Sequence, residues 1–316
     1  MEKEVATPEI SVVIPVYNEA ESLQPLCQDL VSVLGALERP YELLFIEDGS
    51  TDGSFDTLAE LHTQDCHVQV IQFRRNFGKA AALTVGFAEA RGAIVITMDA
   101  DLQDDPQEIP SLLNKLAEGF DLVSGWKYPR RDPLTKTLPS KLFNWATSRL
   151  SGVRLHDFNC GFKAYRREVV KEIRFYGDLY RYIPVLAHWQ GFRVTEVPVR
   201  HHPRQFGQSK YGISRFLRGF FDLITILYLT QYIHRPLHLF GGVGLLSLGT
   251  GTMINLYLTV LWFLGERPIG NRPLLTLGVL LMIIGVQFIF FGLLAEMLTS
   301  VSNKGVEDYS IRRRLK

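Results

Sequence analysis

Glu47-Asp48-Gly49-Ser50-Thr51-Asp52-Gly53-Ser54, directly after the apolar run Tyr41 to Ile46, and Asp99-Ala100-Asp101-Leu102-Gln103, directly after Ala93 to Met98, decide how most of this chain is read. Each is an acidic motif at the end of a strand-like run. In open α/β sheets ligands bind at the carboxyl ends of the strands. Two carboxylates at i and i+2 in that position suit a hard divalent cation, which takes oxygen ligands and bridges substrate phosphates. The pairing points to a nucleotide-diphosphate site.

Working outward, Ile10 to Val16 is a β-branched run that enters the loop Tyr17-Asn18-Glu19. Leu23, Leu26, Leu30 and Leu34 have helical spacing within Glu21 to Leu37. Further strands are expected at Val68 to Phe73, Asp121 to Ser124 and Phe192 to Val199, and helices at Phe55 to His62 and Lys79 to Ala90. Gly92 is read as the C-cap of the latter helix. Pro106 opens another helix. Strands alternating with helices predict a mostly parallel sheet covered on both faces. Residues from Gly125 to about His202 carry no clear period.

After Gly207 the character changes. Ile213 to Tyr232 mixes Phe216, Leu217, Phe220, Phe221, Ile224 and Leu227 with Arg215, Arg218 and Asp222, the pattern of an amphipathic helix at a membrane surface. A core helix of the soluble part is the alternative. Leu237 to Leu264 and Leu274 to Thr299 each exceed the ~20 residues needed to cross the hydrocarbon, and neither contains Lys, Arg or Asp. The flanks carry Arg200, Arg204, Lys210, Arg215, Arg218 and Arg235 on one side and Lys304, Arg312, Arg313, Arg314 and Lys316 on the other, against Arg267 and Arg272 in the short loop between. The positive-inside bias puts both flanks in the cytoplasm. The expected organisation is a cytoplasmic domain over 1–207, a juxtamembrane helix over 208–236, a transmembrane hairpin over 237–299 and a basic tail over 300–316. Met1-Glu2-Lys3-Glu4 is polar, so no secretory signal peptide is expected.

Composition narrows the function classes. A net charge of +1 gives no polyanion signal and no case for nucleic acid. The three cysteines, Cys27, Cys66 and Cys160, form no C-x-x-C pair, which fits a reducing compartment.

Ser11-Val12-Val13-Ile14-Pro15-Val16-Tyr17-Asn18-Glu19, the two acidic motifs and Asn76-Phe77-Gly78-Lys79, in that order, resemble the signature run of family 2 glycosyltransferases. The branch most similar is that of dolichol-phosphate mannose synthase-like polyprenyl-phosphate glycosyltransferases. The two C-terminal spans resemble the bacterial bactoprenol (undecaprenyl-phosphate) glucosyltransferases. The resemblance implies an α/β GT-A fold (nucleotide-diphospho-sugar transferase) with a C-terminal amphipathic helix and two transmembrane helices in the bacterial inner membrane. It also implies a nucleotide-sugar donor, a divalent cation (Mg2+ or Mn2+) and inversion at the anomeric carbon.

Site expectations follow. Asp99, Asp101 and Gln103 alternate behind a strand end and are the expected metal ligands, with Asp99, Ala100 and Asp101 also facing the donor. A solvated acidic loop or a helix cap is the alternative, and Asp104 and Asp105 suit capping better. Asp48 is placed to accept from a uracil or guanine N–H. The resemblance puts nucleoside and ribose contacts at Pro15, Tyr17 and Glu19, with ordinary loop packing as the rival for the first two. The glycines around Ser50 are turn residues. Lys79 near a helix N-terminus adds charge to an anion site, or is simply solvated. In His156-Asp157-Phe158-Asn159-Cys160-Gly161-Phe162-Lys163 the resemblance places an Asp near the acceptor phosphate, which makes Asp157 the candidate general base. A turn-capping Asp is the alternative, and His156 and Cys160 read as packing residues. Lys127, Arg130, Arg131, Lys136, Arg204 and Lys210 are candidates for the acceptor phosphate, against a role as general membrane-surface contacts.

The expected reaction is transfer of a hexose, glucose from UDP-glucose first among donors, to undecaprenyl or another polyprenyl phosphate at the cytoplasmic leaflet. UDP-N-acetylhexosamine, a UDP-aminoarabinose derivative and GDP-mannose suit the same carboxylates. The partners admitted are membrane lipids, a second copy of the chain (Gly241, Gly242, Gly244, Gly249 and Gly251 allow close helix approach) and a flippase acting on the product. A processive polysaccharide synthase is discounted for lack of a Q-x-x-R-W segment. A transport or scaffold subunit with a degenerate domain is opposed by the intact acidic motifs.

Overall fold

In the computed structural model the parallel strands form where the apolar runs end in turn-forming residues. The structure describes residues 7–128, 144–145, 147–149, 151–175, 177–203, 225, 236–265 and 273–302. The chain divides into two compact units, Met1–Leu223 and Ile224–Lys316.

In the first unit β1 (Ile10–Val16), α1 (Ala20–Ala36), β2 (Tyr41–Glu47), α2 (Ser54–Gln64), β3 (Val68–Gln72), α3 (Lys79–Glu89) and β4 (Ile94–Thr97) alternate as the apolar pattern predicts. A 3-10 turn at Pro106–Glu108 leads into α4 (Ile109–Ala117), followed by β5 (Leu122–Lys127), β6 (Lys163–Arg166), α5 (Arg167–Glu172), α6 (Ile183–Trp189) and β7 (Val194–Val199). Asp105 caps the 3-10 turn by accepting from the Gln107 amide at 3.0 Å, as expected of it.

The seven strands lie in the order β3-β2-β1-β4-β6-β5-β7. β1 pairs in parallel with β2 and β4, β2 with β3, and β5 with β7. β6 runs antiparallel to both its neighbours, with Thr97 and Ser124 each in register with Lys163. Ile10, Val12, Ile14 and Val16 pack on one face against Leu23, Leu26, Leu30 and Leu34 of α1 and Leu112 and Leu116 of α4. Val13, Leu44, Ile46 and Val95 pack on the other face against Ala82, Leu83 and Phe87 of α3. This is the covered, mostly parallel sheet expected, with β6 as an unforeseen antiparallel insertion. Gly92 is not the C-cap: α3 ends at Glu89 and Ala90 caps it. A Cβ at Gly92 would lie 2.7 Å from the Ser11 amide nitrogen, so Gly92 is there for close approach.

The second unit contains α7 (Pro236–Phe263) and α8 (Pro273–Ser302). Both are long and apolar enough to cross a membrane, and Leu245, Leu246, Met253, Phe290, Phe291 and Met297 leave their apolar side chains exposed. They pack antiparallel on a seam of glycines: a Cβ at Gly244 would lie 2.7 Å from the Gly285 carbonyl, and one at Gly278 would lie 2.7 Å from the Asn255 amide oxygen. Glu296 accepts from the Leu237 amide at 3.3 Å, satisfying one of the open amides at the start of α7. Gly244 and Gly251 are thus used inside the hairpin. The juxtamembrane helix over 208–236, except Thr225 and Pro236, and the basic tail beyond Ser302 lie outside the described residues.

Candidate active site

The loops that leave β1, β2 and β3 are tied together by short polar side chains at their carboxyl ends. The Asn18 amide donates to Ser50 Oγ at 2.9 Å and the Thr51 amide to Asn18 Oδ1 at 2.8 Å. The Glu19 amide donates to Ser54 Oγ at 3.1 Å, and the Ala20 amide to Asp52 Oδ2 at 3.1 Å. Gly49 sits at φ +68°, and a Cβ there would lie 2.6 Å from both Arg75 Cα and the Asn76 nitrogen. The turn glycine therefore also admits the backbone of the β3 loop.

Asp48 is buried at this junction. Its two oxygens accept from the Phe77 amide at 2.6 Å and the Gly78 amide at 2.9 Å. Burial raises its pKa, the two amides pull the other way, and Glu47 beside it adds to the rise. Asp48 fixes the loop that leads into Lys79, while a carboxylate oxygen keeps a lone pair for a further donor. Pro15 is half-buried at the end of β1, Glu19 is half-buried and Tyr17 is exposed, all beside this junction.

The second motif follows β4. Asp99 forms an ion pair with Lys79, so Lys79 is not merely solvated. Ala100 is buried. Asp101 Oδ1 accepts from the Gln103 amide at 3.2 Å across Leu102, a non-glycine residue at φ +58°. Such a backbone costs free energy and marks a constrained turn.

The segment after β7, which carried no signal in the sequence, straps this motif. His202 donates its amide to the Gln103 carbonyl at 2.8 Å, its ring lies 3.2 Å from Asp105, and Arg200 lies 3.5 Å from Glu108. Asp104 is buried rather than capping, with its carboxylate 3.7 Å from His201 Nδ1. That is an ion-pair separation, too long for a hydrogen bond, and neither facing atom has a hydrogen-bond partner among the described residues. Burial works against the Asp104 charge, but His201 and Lys127 outweigh it and hold its pKa below the usual carboxylate range.

Lys127, at the end of β5, is half-buried. Burial opposes its charge, and Asp104, Cys160, Asp157 and Asp99 overcome that and raise its pKa. Its charge belongs to the carboxylate cluster. The other expected acceptor cations, Arg130, Arg131, Lys136, Arg204 and Lys210, lie outside the described residues.

Asp157 is buried, and its Oδ1 accepts from the Asn159 amide at 2.9 Å, the turn-capping bond weighed above. The loop it begins reaches the acidic motif: a Cβ at Gly161 would lie 2.8 Å from Asp99 Oδ2. Thr97 Oγ1 donates to the Gly161 carbonyl at 2.7 Å and Lys163 Nζ donates to the Cys160 carbonyl. Cys160 is fully buried, and burial pushes its thiol up to about 12. His156 is exposed rather than packed inside. It pairs with Glu196 and stacks on Trp126 with ring centroids 4.1 Å apart.

Asp99, Asp101 and Gln103 together offer only oxygen donors among their side-chain acceptors, which fits a hard divalent cation such as Mg2+ or Mn2+.

Comparison with known proteins agrees with this architecture. Dodecaprenyl-phosphate galacturonate synthase of Rhizobium johnstonii is 37% identical over 312 residues, covering 96% of this chain and 92% of that protein. Undecaprenyl-phosphate 4-deoxy-4-formamido-L-arabinose transferase of Salmonella choleraesuis is 37% identical over 295 residues, covering 93% of this chain and 89% of that protein. Among solved structures, glucosyl-3-phosphoglycerate synthase of Mycobacterium tuberculosis superposes with a TM-score of 0.55 at 21% identity, covering 71% of this chain and 80% of that one. The shared fold is the GT-A type. The family model described as glycosyl transferase family 2 matches residues 11–174, the span that contains both acidic motifs and the Asp157 loop, and the chain is a glycosyltransferase belonging to that family.

Proposed function

We propose that this enzyme transfers a hexose from a nucleotide diphosphate sugar, UDP-glucose being the first donor to test, to undecaprenyl or another polyprenyl phosphate at the cytoplasmic face of the bacterial inner membrane. The observation that carries the reading is the contact of Gly161 with Asp99. It sets the loop that begins at Asp157 beside the acidic motif, which supports a reading in which donor and acceptor meet at one sheet edge. The two similar proteins named above act on polyprenyl phosphates by their names, and their match extends over almost the whole chain, which carries two helices long and apolar enough to cross a membrane.

In this reading Pro15, Tyr17, Glu19 and Asp48 take the nucleoside, and Lys79, Asp99, Ala100 and Asp101 take the diphosphate and sugar. Asp99, Asp101 and Gln103 would hold Mg2+ or Mn2+. The ion, when bound, would neutralise the charge of the departing nucleotide. A lipid phosphate oxygen forms the new bond to the sugar's C1 as the bond to the diphosphate breaks, and the electron pair leaves with the nucleotide. The acceptor is already mostly dianionic near pH 7, so Asp157 orients it and balances charge more than it removes a proton. Lys127, with Arg130, Arg131, Lys136, Arg204 and Lys210, holds the acceptor phosphate. The reading keeps the domain boundaries proposed from the sequence, 1–207, 208–236, 237–299 and 300–316, and puts both termini in the cytoplasm. Gly242 and Gly249, where a Cβ would meet nothing within 4 Å, remain for contact with a second copy, and a flippase would take the product onward.

The test is a donor screen with undecaprenyl phosphate and Mg2+ or Mn2+, reading glycolipid product. It includes UDP-glucose, UDP-N-acetylhexosamine, a UDP-aminoarabinose derivative, GDP-mannose and a galacturonate donor. Product with one donor, abolished by EDTA, is the expected result. Donor consumption with no glycolipid from any of them would overturn the acceptor assignment.

A further inference from the structure

Lys163 opens β6 and is 4% exposed. Among the described residues no carboxylate pairs with its ammonium, and its hydrogen bond goes to the Cys160 carbonyl. A buried charge without an ion partner is costly, and an apolar side chain of similar length would fill the site at lower cost. Burial lowers its pKa and Lys79 pushes the same way, against the pull of Asp157 and Asp99. A packing role alone therefore does not account for a lysine here.

Its surroundings do. Lys163 and Thr97 face each other in register across β6 and β4. Lys163 holds the Cys160 carbonyl and Thr97 holds the next one, that of Gly161. Two successive carbonyls of the loop are thus fixed from adjacent strands, immediately where Gly161 meets Asp99. We infer that Lys163 is a positioning residue for sugar transfer: its buried ammonium pins the Asp157–Gly161 loop by the Cys160 carbonyl and so sets Asp157 against the donor site. This rests on the reading that Asp157 works at the acceptor phosphate. Lys163 itself touches no substrate in this scheme and acts through the loop.

The test uses Lys163→Met, which keeps the stem and removes the charge and its donors, with Lys163→Leu as a second variant in case the first does not fold. Hydrogen exchange is followed over peptides covering residues 157–161 in the full-length enzyme. Exchange there should quicken about tenfold, the size expected when one buried hydrogen bond is lost, while peptides over residues 47–54 stay unchanged. At saturating donor, kcat should fall about 10- to 100-fold from misplacement of the loop, and UDP affinity in Mn2+ should stay within about threefold. Wild-type exchange over 157–161, wild-type kcat in a folded variant, or loss of UDP affinity together with kcat would each overturn the inference. The wild-type enzyme's glycolipid yield tests the functional reading separately, and the exchange measurement holds whatever acceptor is used.

Discussion

Replacing Gly161 by Ala tests the contact on which the acceptor assignment depends. Gly161 is not among the residues at positive φ, so its backbone accepts an alanine without torsional strain. The effect is then purely one of space. The new Cβ would lie 2.8 Å from Asp99 Oδ2 and 3.0 Å from its Cγ, where ordinary contact begins at 3.4 Å, so the carboxylate must retreat by about 0.6 Å. The Asp99 side chain is 36% exposed, so the shift falls on a partly exposed ion pair rather than on the core. The fold should therefore survive, with a Tm within a few degrees of wild type. Lys79 must follow or lose its partner, and the donor site is displaced by a large part of an ångström. Misplacement of about 1 Å costs about 100-fold in rate, so kcat/KM for the nucleotide sugar should fall about 10- to 100-fold, with weaker UDP binding in Mn2+ by calorimetry. Gly35→Ala in α1, where a Cβ meets nothing within 4 Å, is the matched control and should leave both unchanged. Wild-type kinetics and UDP affinity in Gly161→Ala would refute the claim that this loop and the donor site are in register.

Asp157→Ala should lower kcat by about 100-fold through loss of acceptor positioning while UDP binding survives; a collapse of UDP affinity would move Asp157 to the donor site. Asp52 gives a pH signature. Burial works against its charge, but the Ser54 hydroxyl and the Ala20 and Ser54 amides outweigh it, so its folded pKa lies below the unfolded value of about 3.9. Its contribution is present above that value and lost as pH falls through the folded pKa. Asp52→Ala should thus melt earlier than wild type at pH 7, with the gap closing below about pH 4; a gap independent of pH would show that the cap is not carried by the ionised form. For orientation, a cysteine placed between residues 266 and 272 should react with an impermeant reagent from outside the cell, and one placed after Asn303 should not. The reverse pattern would put the donor site on the side that lacks nucleotide sugars.

The parallel half of the sheet was legible because each strand ends in its own signal. The strands end at Val16, Glu47, Gln72 and Thr97, and turn or acidic residues follow closely after the first, second and fourth, while a basic pair, Arg74-Arg75, follows the third. The placing of both acidic motifs at strand ends was readable for the same reason, since local sequence determines where a strand end meets a polar loop. β6 was not. It is four residues long, Lys163-Ala164-Tyr165-Arg166, with a cation at each end and no apolar period, and it becomes a strand only through pairing with β4 and β5. The buried position of Lys163 breaks the very pattern used to find buried strands. The tie of Lys127 to Asp104, its strongest neighbouring charge, was not legible because the two are distant in sequence. The His201-His202 strap was invisible on the same ground, being a contact between the end of β7 and the loop after β4. In the hairpin the glycines correctly marked close approach, but Gly244 and Gly251 meet α8 of the same chain.

The direction of β6 explains how one open sheet brings the Asp157 loop and the acidic motif after β4 to one edge, as the proposed function requires. In a wholly parallel sheet every carboxyl end lies on the same side, and the loop leading into a strand lies on the opposite side. Had β6 run parallel, its lead-in would have started at the far edge, separated from the acidic motif by the length of the strand. Four residues at about 3.3 Å each make that about 13 Å, too far for Asp157 to act on a group attacking the donor's C1. Because β6 is antiparallel, its first residue, Lys163, stands in register with Thr97 at the last turn before Asp99. The preceding segment from His156 to Phe162 is delivered to the donor edge. The same reversal leaves β5 parallel to β4, so Lys127 at its carboxyl end faces the same cluster. A strand without apolar periodicity thus carries the loop to which the proposed function assigns the acceptor. The loop's two pins, Lys163 on β6 and Thr97 on β4, lie on strands whose opposed directions bring a lead-in and a carboxyl end into register.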